Sequence, residues 1–180
     1  MKICVLYGGC SNEREVSIHS AKSILKTLSD EYDIYGYDFN GNYSDLYENI
    51  KNADLVFNAL HGGDGENGTM QKFLEDNSII YTGSDSISSE KSMDKNIAKK
   101  ICSKNNILTP DSLHFVNHYS ALNDFSKFNN KSIVVKPSNE GSSIGLSIIN
   151  NFHVDFKVKV KELDQSIDKC ISVSKGVLIE

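Results

Sequence analysis

The sequence predicts an α/β protein whose N-terminal half is a parallel sheet covered by helices and whose remainder is a second, different α/β unit. Three observations carry this. Short apolar runs at residues 2–7 and 54–60 end abruptly in Gly8-Gly9 and His61-Gly62-Gly63, as buried parallel strands do. Strand-like runs alternate with helical spacing up to Pro110, which indicates a sheet with helices on both faces. Near Met93 the pattern then changes.

The elements follow in order. Residues 2–7 (KICVLY) form the first strand, and Ser11 or Asn12 is placed to cap the helix after it. Ala21, Ile24, Leu25 and Leu28 mark that helix's apolar stripe. Residues 32–39 read as a strand, 43–52 as a short helix, 54–60 as a strand, 69–75 as a helix and 78–82 as a fourth strand stopped by Gly83. A helix over about 94–103 opens the second part, and Leu108-Thr109-Pro110 breaks the chain. Next come a strand (113–116), a helix (120–128), a strand (132–136), a glycine- and serine-rich loop, a strand (145–149), a helix (about 158–173) and a last strand (177–180). The boundary falls near 92–105, dividing the chain into 1–92 and 93–180. The last strand, VLIE, is expected to lack a covering neighbour, which points to a fragment of a longer protein.

Composition narrows the function. A hydrophobic content of 39% and a charged content of 24% are those of an ordinary globular protein. A net charge of −5 with dispersed lysines argues against nucleic acid as a partner. The apolar start is too short for a signal peptide and no run approaches a membrane span. Cys4, Cys10, Cys102 and Cys170 show no CxxC spacing, so reduced thiols in a cytoplasmic protein are expected. Lys95, Lys99 and Lys100, at helical spacing, read as a solvated helix face unless a ligand claims them.

Three segments place polar residues just after an apolar strand, where ligands bind in open parallel sheets. Residues 8–17 (GGCSNEREVS) suit either an anion at a helix N-terminus or a plain turn with acidic first-turn residues. Residues 61–69 (HGGDGENGT) carry a His, an Asp and a Glu among four glycines. Either a site or a flexible turn closed by His61 fits, and no ligand spacing for a metal is visible. Residues 134–145 (VVKPSNEGSSIG) place Lys136 at a strand end before Gly and Ser groups able to wrap phosphates. This is not a Walker loop, and a hairpin with a serine-rich turn explains the pattern as well.

Together and in this order the segments resemble the D-alanine–D-alanine ligases, an ATP-grasp family, over essentially the whole chain. The matching stretches are 11–17, 59–69 (Ala-Leu-His-Gly and its glycine loop), 81–84 (Tyr-Thr-Gly-Ser), 92–95 (Ser-Met-Asp-Lys) and 135–145. Asn67 and Lys72 depart from the family pattern without touching its chemistry. The family's catalytic Lys-Tyr loop, oxyanion Arg and magnesium-holding Asp, Glu and Asn have no counterpart in the chain.

The resemblance implies a Rossmann-like, pre-ATP-grasp sheet followed by an incomplete ATP-grasp domain. It implies ATP and Mg2+ as cofactors, with the metal ligands outside these 180 residues, D-alanine as substrate and a homodimer for the full-length protein. The implied reaction forms an acyl phosphate from one D-alanine and γ-phosphate, which a second D-alanine amine attacks to give D-alanyl-D-alanine for the cell wall. By position, Glu13 fixes the first ammonium, Ser142 links it to a tyrosine elsewhere, and His61 lies beside the reacting carboxyl. Lys95 and Lys136 hold phosphates, the loop containing Ser138, Gly141, Ser142, Ser143 and Gly145 closes over them, and Glu180 takes the adenine amino group. Alternatives are a D-lactate or D-serine product, another ATP-grasp ligase, and a non-catalytic D-alanine-binding module. The chain by itself is expected to be inactive.

Overall fold

The computed structural model describes residues 1–116, 128, 132–150, 156–174 and 176–180. They divide into two compact units, Met1–Ser92 and Met93–Glu180.

In the first unit, β1 (Lys2–Gly8) lies between β2 (Asp33–Phe39) and β3 (Leu55–Asn58), all parallel. Alternation along β1 sends side chains to two cores. Val5 packs with Ala21 and Ala59 under α1 (Arg14–Leu28). Cys4 and Leu6 pack with Leu46 and Ile50 of α2 (Tyr43–Ile50) and Met70 and Leu74 of α3 (Thr69–Asp76). A sheet covered on both faces explains why β1 is almost wholly apolar. The chain leaves β1 for β2 on one side and then returns to β3 on the other. The strand order therefore reverses between β1 and β3, and a crevice opens beyond their carboxyl ends.

Two expectations are corrected here, and one helix is new. The fourth strand, 78–82, shrinks to one parallel bridge between Val56 and Tyr81. Ser78 is left-handed (φ 56°) and Gly83 has φ 114°, so extended backbone survives only between them. Neither Ser11 nor Asn12 caps α1: Glu13 holds the cap position without a side-chain cap bond, because the Ser11 hydroxyl is engaged elsewhere. An unforeseen helix, α4 (Ser86–Met93), has no apolar stripe to announce it. Its start is held instead by the Glu75 carboxylate, which accepts from the Ser86 amide (2.8 Å), the Ser86 hydroxyl (2.6 Å) and the Tyr81 hydroxyl (2.6 Å).

The second unit begins with α5 (Lys95–Lys104), whose Asp94 cap accepts from the amides of Asn96 and Ile97. Its sheet runs β4-β7-β5-β6, all antiparallel: β4 (Leu113–Phe115), β5 (Ile133–Pro137), β6 (Ser147–Ile149) and β7 (Val177–Ile179). Ile133, Val135, Ile149, Val177 and Ile179 face Leu163 and Ile167 of α6 (Phe156–Ile171). The expectation of an uncovered last strand is overturned: β7 is paired on both sides, and Val177, Leu178 and Ile179 are at most 1% exposed. The neighbours that cover it precede it in sequence. The helix expected over 120–128 lies outside the described residues, Phe128 apart.

Candidate functional site

At the carboxyl edge of the first sheet, hydroxyl groups tie the two glycine-rich segments together. Ser17, fully buried, accepts from the Gly8 amide (2.9 Å) and donates to the Ala59 carbonyl (2.7 Å), joining the ends of β1 and β3. The Ser11 hydroxyl donates to the His61 carbonyl (2.6 Å) and accepts from the Glu13 amide (3.1 Å). Arg14 makes a two-pronged pair with Asp38 (2.8 and 2.7 Å) and also donates to the Gly9 carbonyl. Gly62 (φ 65°) packs where a Cβ would lie 3.3 Å from the Glu13 carboxyl carbon, so the backbone approach needs glycine.

This scaffold brings Glu13 and His61 together, with Glu66 as a third member. One donor atom from each lies within 4.8 Å of the others. His61 Nδ1 is 3.9 Å from Glu66, and Nε2 is 3.1 Å from the Ser20 hydroxyl. Among the described residues, no Lys or Arg is paired with Glu13 or Glu66. A cavity of about 150 Å³ opens beside them, lined by Gly9, Cys10, Ser11, Leu60 and His61 among others. Sequence spacing showed no partner ligand for His61, because Glu13 arrives from the end of a different strand.

The second unit holds a compact charge cluster. Glu180 bridges Lys99 (2.7 Å) and Lys136 (2.5 Å), with side chains 14–22% exposed. Burial raises the Glu180 carboxyl, but the hydrogen bonds and charges of Lys136 and Lys99 outweigh it and hold the group below its ordinary value. Lys95, half-buried, donates from Nζ to the Glu140 carbonyl (2.5 Å). Its backbone amide bonds the Ser138 carbonyl (2.9 Å), fixing the start of α5 to the end of β5. Burial first, then the Lys136 charge, lowers the Lys95 pKa. The structure thus brings Lys95, Lys136, Ser138 and Glu180 together. Lys99, read as part of a solvated face, belongs to this cluster instead; only the sum of the fold shows that its side turns inward.

The loop after β5 is a hairpin connection with unusual backbone. Ser142 and Ser143 are left-handed (φ 46° and 60°) and exposed, and the amide of Ile144 returns to the Gly141 carbonyl (3.0 Å). Gly145 (φ 73°) sits where a Cβ would be 2.7 Å from Pro137. Non-glycine residues in this region cost free energy, and such strain gathers at ligand-handling loops. Magnesium finds no donor set here: among the described residues of this unit no three such ligands converge, and Glu180 is taken by two lysines.

A parallel unit with Glu13, His61 and Glu66 gathered beyond its strand ends, followed by an antiparallel unit with two lysines on Glu180, defines an α/β protein with two charged clusters, the first where open parallel sheets take ligands. Comparison with known proteins narrows this class. Residues 2–49 and 38–84 match the family model described as D-ala D-ala ligase N-terminus. The D-alanine–D-alanine ligase of Aquifex aeolicus is 37% identical over 98% of this chain and 64% of its own length. The ATP-complexed D-alanine–D-alanine ligase of Bacillus anthracis superposes with a TM-score of 0.84 at 33% identity, covering all of this chain and 58% of that one. The VanG D-Ala:D-Ser ligase of Enterococcus faecalis gives 0.77 at 28% identity, over 99% and 62% of the two chains. The chain belongs to the D-alanine–D-alanine ligase family. It spans about half to two thirds of the length of the curated relatives it matches.

Proposed function

We propose that this chain supplies the first-substrate and ATP-binding parts of a cytoplasmic ligase that joins two D-alanines for peptidoglycan synthesis. The observation that carries the reading is the meeting of Glu13 and His61 at the strand-order reversal. There an unpaired carboxylate suits an ammonium, and the imidazole beside it suits the carboxylate of the same amino acid. Lys95 and Lys136 then take the phosphates of ATP, neutralising charge that builds as the γ-phosphoryl group moves to the substrate carboxylate. The Glu180 oxygens each keep a lone pair beyond their lysine bonds, so the carboxylate can also accept from the adenine amino group. Residues 138–145 close over the phosphates and keep water from the acyl phosphate. Magnesium would add further phosphate charge neutralisation, through ligands that the described residues do not provide.

The test is D-alanine binding to the chain by calorimetry. Glu13→Gln keeps shape and removes charge, and is expected to weaken D-alanine by about tenfold to a hundredfold, or about 1–3 kcal/mol. Glu15→Gln, exposed and on another side of α1, serves as control, and ATP affinity should stay constant in both. Equal effects at the two positions, or none at Glu13, would remove Glu13 from the site.

A further inference from the structure

We propose that Glu13, His61 and Glu66 form a binding site for a divalent transition-metal ion, zinc foremost, and that this ion competes with the substrate ammonium for Glu13. The competition rests on the function proposed above; the metal site does not. The donor set is one imidazole nitrogen and two carboxylates, with room left for a further ligand. That composition suits zinc and its neighbours, whereas magnesium prefers oxygen alone. A tetrahedral zinc shell with bonds near 2.0–2.1 Å sets ligand atoms roughly 3.4 Å apart. Donor atoms already within 4.8 Å need to contract by about an ångström or more, which the 42%-exposed side chain of Glu66 is free to supply.

Two further features prepare the site. Ser20 Oγ, 3.1 Å from His61 Nε2, can accept its N–H, leaving the Nδ1 lone pair directed toward Glu66; metal-binding histidines are oriented by such an outer hydrogen bond. Ser11 holds the Glu13 and His61 backbones together through its two hydrogen bonds, so most of the ordering is complete before an ion arrives. With no Lys or Arg paired to either carboxylate among the described residues, a cation gains two charges at once.

The experiment uses the untagged 180-residue chain, Co2+ as a spectroscopic probe and Zn2+ as its displacer. Expected are visible Co2+ bands saturating at one equivalent, abolished by zinc and by His61→Ala. Glu66→Gln should weaken Co2+ at least tenfold and leave D-alanine binding unchanged. Ser20→Ala should weaken Co2+ by about tenfold to a hundredfold, and D-alanine should lower the apparent Co2+ affinity. Absent bands, bands indifferent to Glu66→Gln and His61→Ala, or an intense thiolate band lost with Cys10→Ser would overturn the site. If Co2+ binds through His61 and Glu66 but D-alanine binds without competing, the metal site stands and the competition falls. If D-alanine does not bind at all, the proposed function falls with the site intact.

Discussion

The two units build their clusters of charged residues in opposite ways. In the first, the chemistry sits on loops beyond the strands, and order comes from short side-chain bonds: Ser11 to His61, Ser17 to Ala59, Arg14 to Asp38. In the second, the charged groups stand on or beside regular elements, Lys95 opening α5, Lys136 within β5 and Glu180 after β7. The sign of the charge differs too. In the first cluster two carboxylates, Glu13 and Glu66, lie beside one imidazole, while in the second three lysines gather near one carboxylate. On the function proposed above, an ammonium and a polyphosphate would meet different architectures. The first cluster rests on loop backbone tied by side-chain hydrogen bonds, the second on a partly buried carboxylate held by two lysines.

If the second site is rigid because its sheet is, Ile179→Ala should show the largest effect. Ile179 is fully buried in the central strand, and the cavity is expected to cost about 2–5 kcal/mol. Hydrogen exchange should quicken through β4, β5 and β7 while β1–β3 keep their protection; loss of protection in both sheets would break the comparison. In the first unit the weight falls on backbone. Gly68→Ala combines φ 92° with a Cβ 2.4 Å from the Ser86 carbonyl and should cost about 2–3 kcal/mol in denaturant melts. Gly83→Ala, at φ 114° with nothing nearby, should cost about 1 kcal/mol. The smallest effect concerns Glu75. Hydrogen bonds from Ser86 and Tyr81 lower its pKa, so its contribution is present above the unfolded value and is lost as pH falls through the folded one. Thermal melts across acid pH should show a drop that Glu75→Gln removes.

Much of this was legible in the sequence, and the failures have physical causes. Apolar runs ending in glycine located β1 and β3, and the helical stripe from Ala21 to Leu28 located α1. The strand at 78–82 failed because Ile79 and Tyr81 alternate as a strand should, yet left-handed Ser78 and Gly83 leave no length for a ladder. Helix α4 escaped because hydrogen bonds donated by Ser86 to the Glu75 carboxylate, not an apolar face, hold its start. The meeting of Glu66 with Glu13, and of Lys99 with Glu180, depends on strand order and register, which local patterns do not encode.

The central place of β7 also sets a timetable for synthesis. β4 reaches β5 only through β7, so β4 has no sheet partner until the last of these strands leaves the ribosome. The first compact unit ends at Ser92. At about 5–20 residues per second, it has several seconds in which to fold before its neighbour can begin to complete its sheet. Meanwhile the β5–β6 hairpin waits with an open edge, and this nascent interval is when the chain is most exposed to pairing with the wrong strand.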